Sequence, residues 1–222
     1  MRKAYSLFVI FLMLLAVTEA FSAEINVNKK SIAFLNSMEF KTQLYNLGIY
    51  WDRKVLNLET ACTSKYNLIP ISFGIVKPLI FDDGDVQPKS GVWTYRYRFV
   101  RCGKTIVYNA LAIAKKGAAP KLMLMVPGYT RVSPTLLRDV IIGGVSAGAE
   151  MGAKDNKACK KVNVLDTAVT MKPTTLEEDG ISYNGVWEEL WTVQRCGEEI
   201  SMNFCFVPTA DGGTDWSLKK CR

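Results

Sequence analysis

Gly91-Val92-Trp93 leads to Cys102-Gly103, and Gly185-Val186-Trp187 leads over the same interval to Cys196-Gly197. The offset of 94 also aligns Arg101 with Arg195, Ile106 with Ile200 and Asn109 with Asn203. Upstream, Cys62 corresponds to Cys159 and Lys77-Pro78 to Lys172-Pro173 at slightly larger offsets, as a small length difference in a turn would produce. Self-similarity at one fixed spacing is the signature of a repeated supersecondary unit. The expectation is two tandem repeats, 23–127 and 128–222.

Working outward, each unit reads as a helix followed by strands. Ile32, Leu35, Met38, Leu44 and Leu47 fall near helical spacing, with Gly48 as the expected stop. In the second unit Ser133-Pro134 forms an N-cap and first-turn pair ahead of Leu136, Leu137, Val140, Ile141 and Val145. Strand-like runs then follow at about 69–76, 92–101, 105–114 and 121–126, and again at about 162–171, 186–195, 199–207 and 216–219. Asp83-Gly84, Gly117, Asp179-Gly180 and Gly212-Gly213 supply turns. The predicted class is α+β: two tandem repeats, each a helix plus a four-stranded antiparallel meander, disulfide-bonded.

The duplication selects among the fifteen pairings that six cysteines allow. Equivalence of positions predicts Cys62–Cys102 and Cys159–Cys196. Cys205 and Cys221 have no counterparts in the first unit and are expected to join each other across a hairpin centred on residue 213. Disulfides imply an oxidising compartment. The N-terminus agrees: Arg2 and Lys3 precede an apolar run from about Leu7 to Val17 and a small-residue exit at Ala20 or Ser22, so 1–22 reads as a cleaved signal peptide. That run is too short to anchor as a membrane-spanning helix. The expected location is periplasmic or secreted.

The 222 residues carry a formal charge of +7 and no histidine. The missing imidazole excludes Ser-His-Asp and Cys-His catalysis and histidine-ligated zinc. Lysines and arginines are scattered, with no basic arm, so nucleic acid is not an expected partner. No metal or cofactor is expected either. The acidic turns Asp82-Asp83-Gly84-Asp85 and Glu177-Glu178-Asp179-Gly180 lack the terminal glutamate of an EF-hand loop and read as solvated hairpin ends.

Trp93, Tyr95, Tyr97 and Phe99 alternate along one strand face, and Trp187 and Trp191 repeat much of it with Glu189 between them. Such a face is either a binding platform or, preferably, the sheet surface that packs beneath a helix. Trp93, Tyr95, Tyr97, Trp187, Glu189 and Trp191 are therefore the candidate ligand face. Glu189 sits either at the exposed edge of that layer or in a desolvated site. Gly144, Gly148 and Gly152, four apart, predict close packing of the second helix on a sheet.

Trp187-x-Glu189-x-Trp191, Cys196-Gly197 and Gly212-Gly213-Thr214 together resemble the C-terminal segment of small uncharacterised exported proteins of Gram-negative bacteria. In layout, tandem helix-plus-four-strand units are similar to the β-lactamase inhibitor proteins, and that resemblance implies a concave sheet surface offered to a partner. The functional expectation is an exported, non-catalytic binding or interaction protein whose partner is a protein, a glycan or an anionic envelope surface. Two alternatives stand beside it: a histidine-free hydrolase acting on glycans through carboxylates, and a basic structural protein held to the envelope by charge.

Overall fold

The computed structural model describes residues 28–55, 66–101, 103–153, 161–178 and 181–221. Among the described residues two helices come first, α1 (Lys29–Leu35) and α2 (Met38–Lys54). The strands β1 (Asn67–Ile80), β2 (Ser90–Arg101), β3 (Lys104–Lys115) and β4 (Ala118–Leu124) form an antiparallel sheet in sequential order, here sheet A. A second helical stretch comprises α3 (Pro134–Asp139), a π-helical segment (Val140–Val145) and α4 (Ser146–Gly152). The strands β5 (Val162–Glu178), β6 (Ile181–Arg195), β7 (Glu198–Pro208) and β8 (Thr214–Ser217) then build sheet B, again sequential and antiparallel. Among the described residues no helix is long and apolar enough to cross a membrane.

Local chemistry explains the helix starts. Ser37 accepts a hydrogen bond from the Phe40 amide at 3.2 Å, with Glu39 in the first turn and Arg53 and Lys54 in the last. Ser133 caps α3 through the Leu136 amide, with Pro134 at the first position. Along α2 the buried residues Phe40, Leu44, Gly48 and Asp52 lie four apart, a single stripe facing sheet A. Gly48 is therefore not a stop. An added Cβ would sit 3.0 Å from the Phe99 ring, so glycine is where the helix crosses the sheet most closely, and α2 runs on to Lys54.

The stretches Trp93–Arg101 and Trp187–Arg195 pair with the following strand in matching registers. Trp93 faces Ala112 and Arg101 faces Lys104, while Trp187 faces Phe206 and Arg195 faces Glu198. The intervening Cys196-Gly197 has φ of 54° and 89°, both left-handed, which is the geometry of a two-residue hairpin turn matched to strand twist.

The two cores distribute their bulk differently between helix and sheet. Against sheet A, β3 contributes Ala110 and Ala112, and the helices supply Phe34, Phe40 and Leu44. Against sheet B, β7 contributes Ile200, Met202, Phe204 and Phe206, and the helical stretch supplies Leu137, Val140, Val145 and Ala149 with glycines set against the bulky strand residues. A Cβ on Gly144 would lie 2.6 Å from the Phe204 ring, one on Gly148 2.7 Å from the Met202 sulfur and one on Gly152 2.5 Å from Ile200. Four helical residues rise about 6 Å and two strand residues about 6.8 Å, so glycines four apart meet alternate strand residues in step. The second helix packs on its sheet as the glycine spacing indicated, with a π-helical segment at its centre.

Cys205 and Cys221 are joined, with Cα atoms 5.0 Å apart. The expected cross-strand geometry is corrected, however. The β7–β8 register pairs Cys205 with Ser217 and Pro208 with Thr214, which centres the hairpin on Asp211 rather than on residue 213. Asp211 accepts from the Gly213 amide and the Thr209 hydroxyl and sets that tight turn. Cys221 lies beyond β8, where its amide donates to Glu188 Oε2 at 2.9 Å. Cys196 is also disulfide-bonded. Cys62, Cys102 and Cys159, and with them the expected Cys62–Cys102 and Cys159–Cys196 pairings, lie outside the described residues, as does the signal peptide 1–22.

Candidate functional site

Alternation along β2 places Trp93, Tyr95, Tyr97 and Phe99 under the helices and leaves Val92, Thr94, Arg96 and Arg98 on the opposite face. The pairing then sets out that outer face row by row. Ile69, Arg98 and Val107 form one row; Ser72, Arg96 and Asn109 the next; Gly74, Thr94 and Leu111 a third; Lys77, Val92, Ile113 and Lys121 the last.

At its centre this face meets the segment joining the two sheets. Asn109 Nδ2 donates to the carbonyls of Val126 and Gly128 at 2.8 and 2.9 Å. Its Oδ1 accepts from Arg96 Nε at 2.7 Å, and Arg96 Nη2 donates to the Thr130 carbonyl at 2.6 Å. The guanidinium also lies over the Tyr129 ring. Burial pulls the Arg96 pKa down, while Tyr129 and Glu189 act in the opposite direction. From sheet B, Thr167 Oγ1 donates to the Pro127 carbonyl at 2.6 Å and the Thr167 carbonyl accepts from the Tyr129 amide at 2.6 Å. Gly128 is obligatory there: φ is +92°, and a Cβ would overlap the Thr167 backbone at 2.2 Å. The connection is thus pinned from both sheets.

Glu189 belongs to this junction. It is fully buried, and its Oε1 accepts from the Arg131 amide at 2.7 Å and Trp187 Nε1 at 3.0 Å, while Oε2 accepts from Trp191 Nε1 at 2.9 Å. Three N–H donors compensate the desolvated carboxylate. It is not at an exposed edge. The other members of the candidate ligand face are likewise inside: Trp93, Tyr97 and Trp191 are 0% exposed, Tyr95 3% and Trp187 8%. They pack beneath the helices, with Tyr95 and Tyr97 hydroxyls donating to the Leu35 and Leu44 carbonyls of the helical layer. A platform for ligand is therefore not what this face presents; it is core.

A second buried polar group lies in sheet A. Asp52 of α2 accepts from the Tyr108 hydroxyl, and Arg101 Nε stands 2.7 Å from its other oxygen. Burial raises the Asp52 carboxyl above its ordinary range, opposed by Tyr108 and Arg101, and burial next to Asp52 pushes the Tyr108 and Tyr97 phenols far up. With Asp52 fully enclosed, this is a structural ion pair without access for substrate.

Accessible space lies elsewhere. A cleft of about 360 Å³ runs between β1 at Ser72–Val76 and the segment Thr130–Pro134, floored by Thr94, Arg96 and Asn109. Its charged lining is Arg96 and Arg131; no carboxylate reaches it, and Glu189 is not part of it. Carboxylate-pair hydrolysis needs two such groups facing each other across about 5 to 10 Å, and Asp139, Asp211 and Asp215 line a separate, more open concavity of about 850 Å³ between α3 and the β7–β8 turn. Among the described residues no three Cys, Asp or Glu side chains gather as metal ligands.

The cleft belongs to a surface that the scattered charges in the sequence had concealed. The strands of sheet A hold no aspartate or glutamate; Lys77, Arg96, Arg98 and Lys121 stand on the outer face, while Arg101 is buried against Asp52 and Lys104 and Lys115 lie at strand ends. Those of sheet B hold Asp166, Glu177, Glu178, Glu188, Glu189, Glu198, Glu199 and Asp215 against Lys172 and Arg195. Counting charge strand by strand, rather than along the chain, would have exposed the partition. No protein family, curated protein or solved structure was found to match the chain.

Proposed function

We propose that this chain is an exported, non-catalytic binding protein made of two tandem disulfide-bonded units, acting in the periplasm or extracellular space, with its recognition surface on the outer face of sheet A. The observation that carries the reading is the acid-free sheet beside an open cleft: Lys77, Arg98 and Lys121 are exposed on that face, Arg131 stands at the cleft, and no carboxylate of sheet A opposes them. A basic, partly apolar concavity suits an anionic partner and favours its encounter. The leader-like N-terminus and the Cys205–Cys221 bridge support export. The equal offset of the two Trp-to-Cys stretches and of their hairpin registers supports duplication.

The test is a pull-down with the oxidised mature chain from envelope fractions and culture supernatant, beside Lys77→Glu/Arg98→Glu. Specific capture by the parent chain and at least tenfold less by the variant is expected. Equal capture by both would remove sheet A as the recognition surface. Salt-sensitive sedimentation with envelope vesicles, in the absence of any captured macromolecule, would favour a charge-held structural role.

A further inference from the structure

Resting on that binding role, we infer that β1 is a docking edge for an extended, acidic segment of a partner protein, which adds to sheet A as a further strand. Among the described residues the sheet order leaves β1 paired on one side only. Its backbone on the other side is a row of donors and acceptors that another strand can satisfy.

Comparison with the other long edge sharpens the point. β5 carries Asp166, Lys172, Glu177 and Glu178, the kind of charge that discourages pairing with foreign strands. β1, from Asn67 to Ile80, has Lys77 as its sole charged residue. It instead displays large apolar side chains: Ile69 is 37% exposed, Phe73 40%, Val76 52% and Ile80 50%. Pro70 and Pro78 are tolerated because this is an edge; the stretch 71–77 between them has no proline, and between register shifts at Ile71 and Val76 it pairs regularly over Ser72–Ile75. The cleft opens alongside that same stretch, giving room for a partner's side chains.

Charge selects the partner. Arg98 lies directly across from Ile69, Arg96 across from Ser72, and Lys77 is on β1 itself, with no acidic residue anywhere in the sheet. A strand alternating apolar residues with Asp or Glu would match the exposed Ile, Phe and Val side chains and these cations together. An anionic lipid surface would use the charges but has no use for an unpaired strand backbone, which is why a protein segment is favoured.

The test uses the full oxidised chain and a displayed pool of random twelve-residue peptides. Enrichment of proline-free sequences alternating apolar and acidic residues is expected. For the best of these, methylating alternate backbone nitrogens should weaken binding at least tenfold, and Val76→Asp or Lys77→Glu should each do the same. Because methylation alters only the peptide, it decides the matter even if a protein variant misfolds. Failure to enrich such peptides, or binding indifferent to backbone methylation, overturns the proposal. So does binding confined to phosphatidylglycerol vesicles, or self-association that Val76→Asp abolishes, which would make a second copy the occupant. If the pull-down partner still depends on Lys77 and Arg98 while strand peptides do not bind, only the strand-addition mode fails and the wider binding role stands.

Discussion

Sheet A and sheet B share strand order, hairpin register and a helical cover, yet they hold their buried carboxylates by different means. Sheet A sets Asp52 against Arg101 and the Tyr108 hydroxyl. Sheet B sets Glu189 against the Trp187 and Trp191 indoles and the Arg131 amide. The first arrangement is a local ion pair that joins α2 to β2 and β3. The second clamps the connecting segment, so it joins the two halves of the molecule. A buried carboxylate thus serves stability within the sheet A half, from a helix, and holds the connection between the halves from a strand of sheet B, and the two should fail differently.

The largest effect is expected at Asp52. Asp52→Ala leaves the Arg101 guanidinium buried without its counter-charge, which costs about 3 to 5 kcal/mol in urea melts. Glu189→Gln strands at least one N–H donor but no charge, a loss of about 1 to 3 kcal/mol. It should also release the Arg131 segment, seen as faster amide exchange at Arg131 and Tyr129. A larger loss for Glu189→Gln than for Asp52→Ala would show that the junction, not the ion pair, dominates.

Next comes the Cys205–Cys221 bridge of sheet B. Cys205→Ala/Cys221→Ala opens a loop with a sequence separation of 16, about 3 kcal/mol by loop entropy. The loss should appear in sheet B, whose β7 and β8 it ties down, with exchange in sheet A unchanged. Spread of the effect to β2 and β3 would mean that the two halves melt as one.

These contrasts also show what the linear sequence disclosed. Period-two aromatics and turn residues disclosed the strands, and the unmatched cysteines disclosed their own pairing. The hairpin centre did not follow from the midpoint of Cys205 and Cys221, because Asp211 sets the turn by its side-chain bonds and Cys221 lies outside the strand. Gly48 resembled a stop because propensity sees only backbone cost, whereas its role is contact with Phe99, some fifty residues away. The charge partition and cleft stayed hidden because cations scattered along the chain become one face only after the strands are paired.

Smaller losses should separate the two packing schemes. Gly48→Ala and Gly144→Ala each insert a methyl against an aromatic ring, at 3.0 and 2.6 Å, which costs about 1 to 3 kcal/mol by overpacking. The Gly144 change should cost more, since Phe204 and Trp216 both crowd that position. Equal losses would indicate that the helix over sheet B shifts to make room.

The smallest predicted effect is a pH slope, and its sign separates burial from pairing at Asp52. The folded carboxyl has a raised pKa, with burial the largest cause and Tyr108 and Arg101 opposing it. Between the ordinary value of 3.8 and that higher folded value, the native chain therefore binds the proton more readily than the unfolded chain. The contribution of this group to stability must then fall as pH rises through the window and level off above it. Asp52→Asn cannot titrate, whereas the other carboxylates, including Asp166, titrate in both proteins and cancel in the difference. Urea melts from about pH 4 to neutrality should show the parent chain losing stability relative to Asp52→Asn as pH increases. A gain instead would mean that Arg101 and Tyr108 outweigh burial, placing sheet A's carboxylate among those whose ionisation holds the fold together.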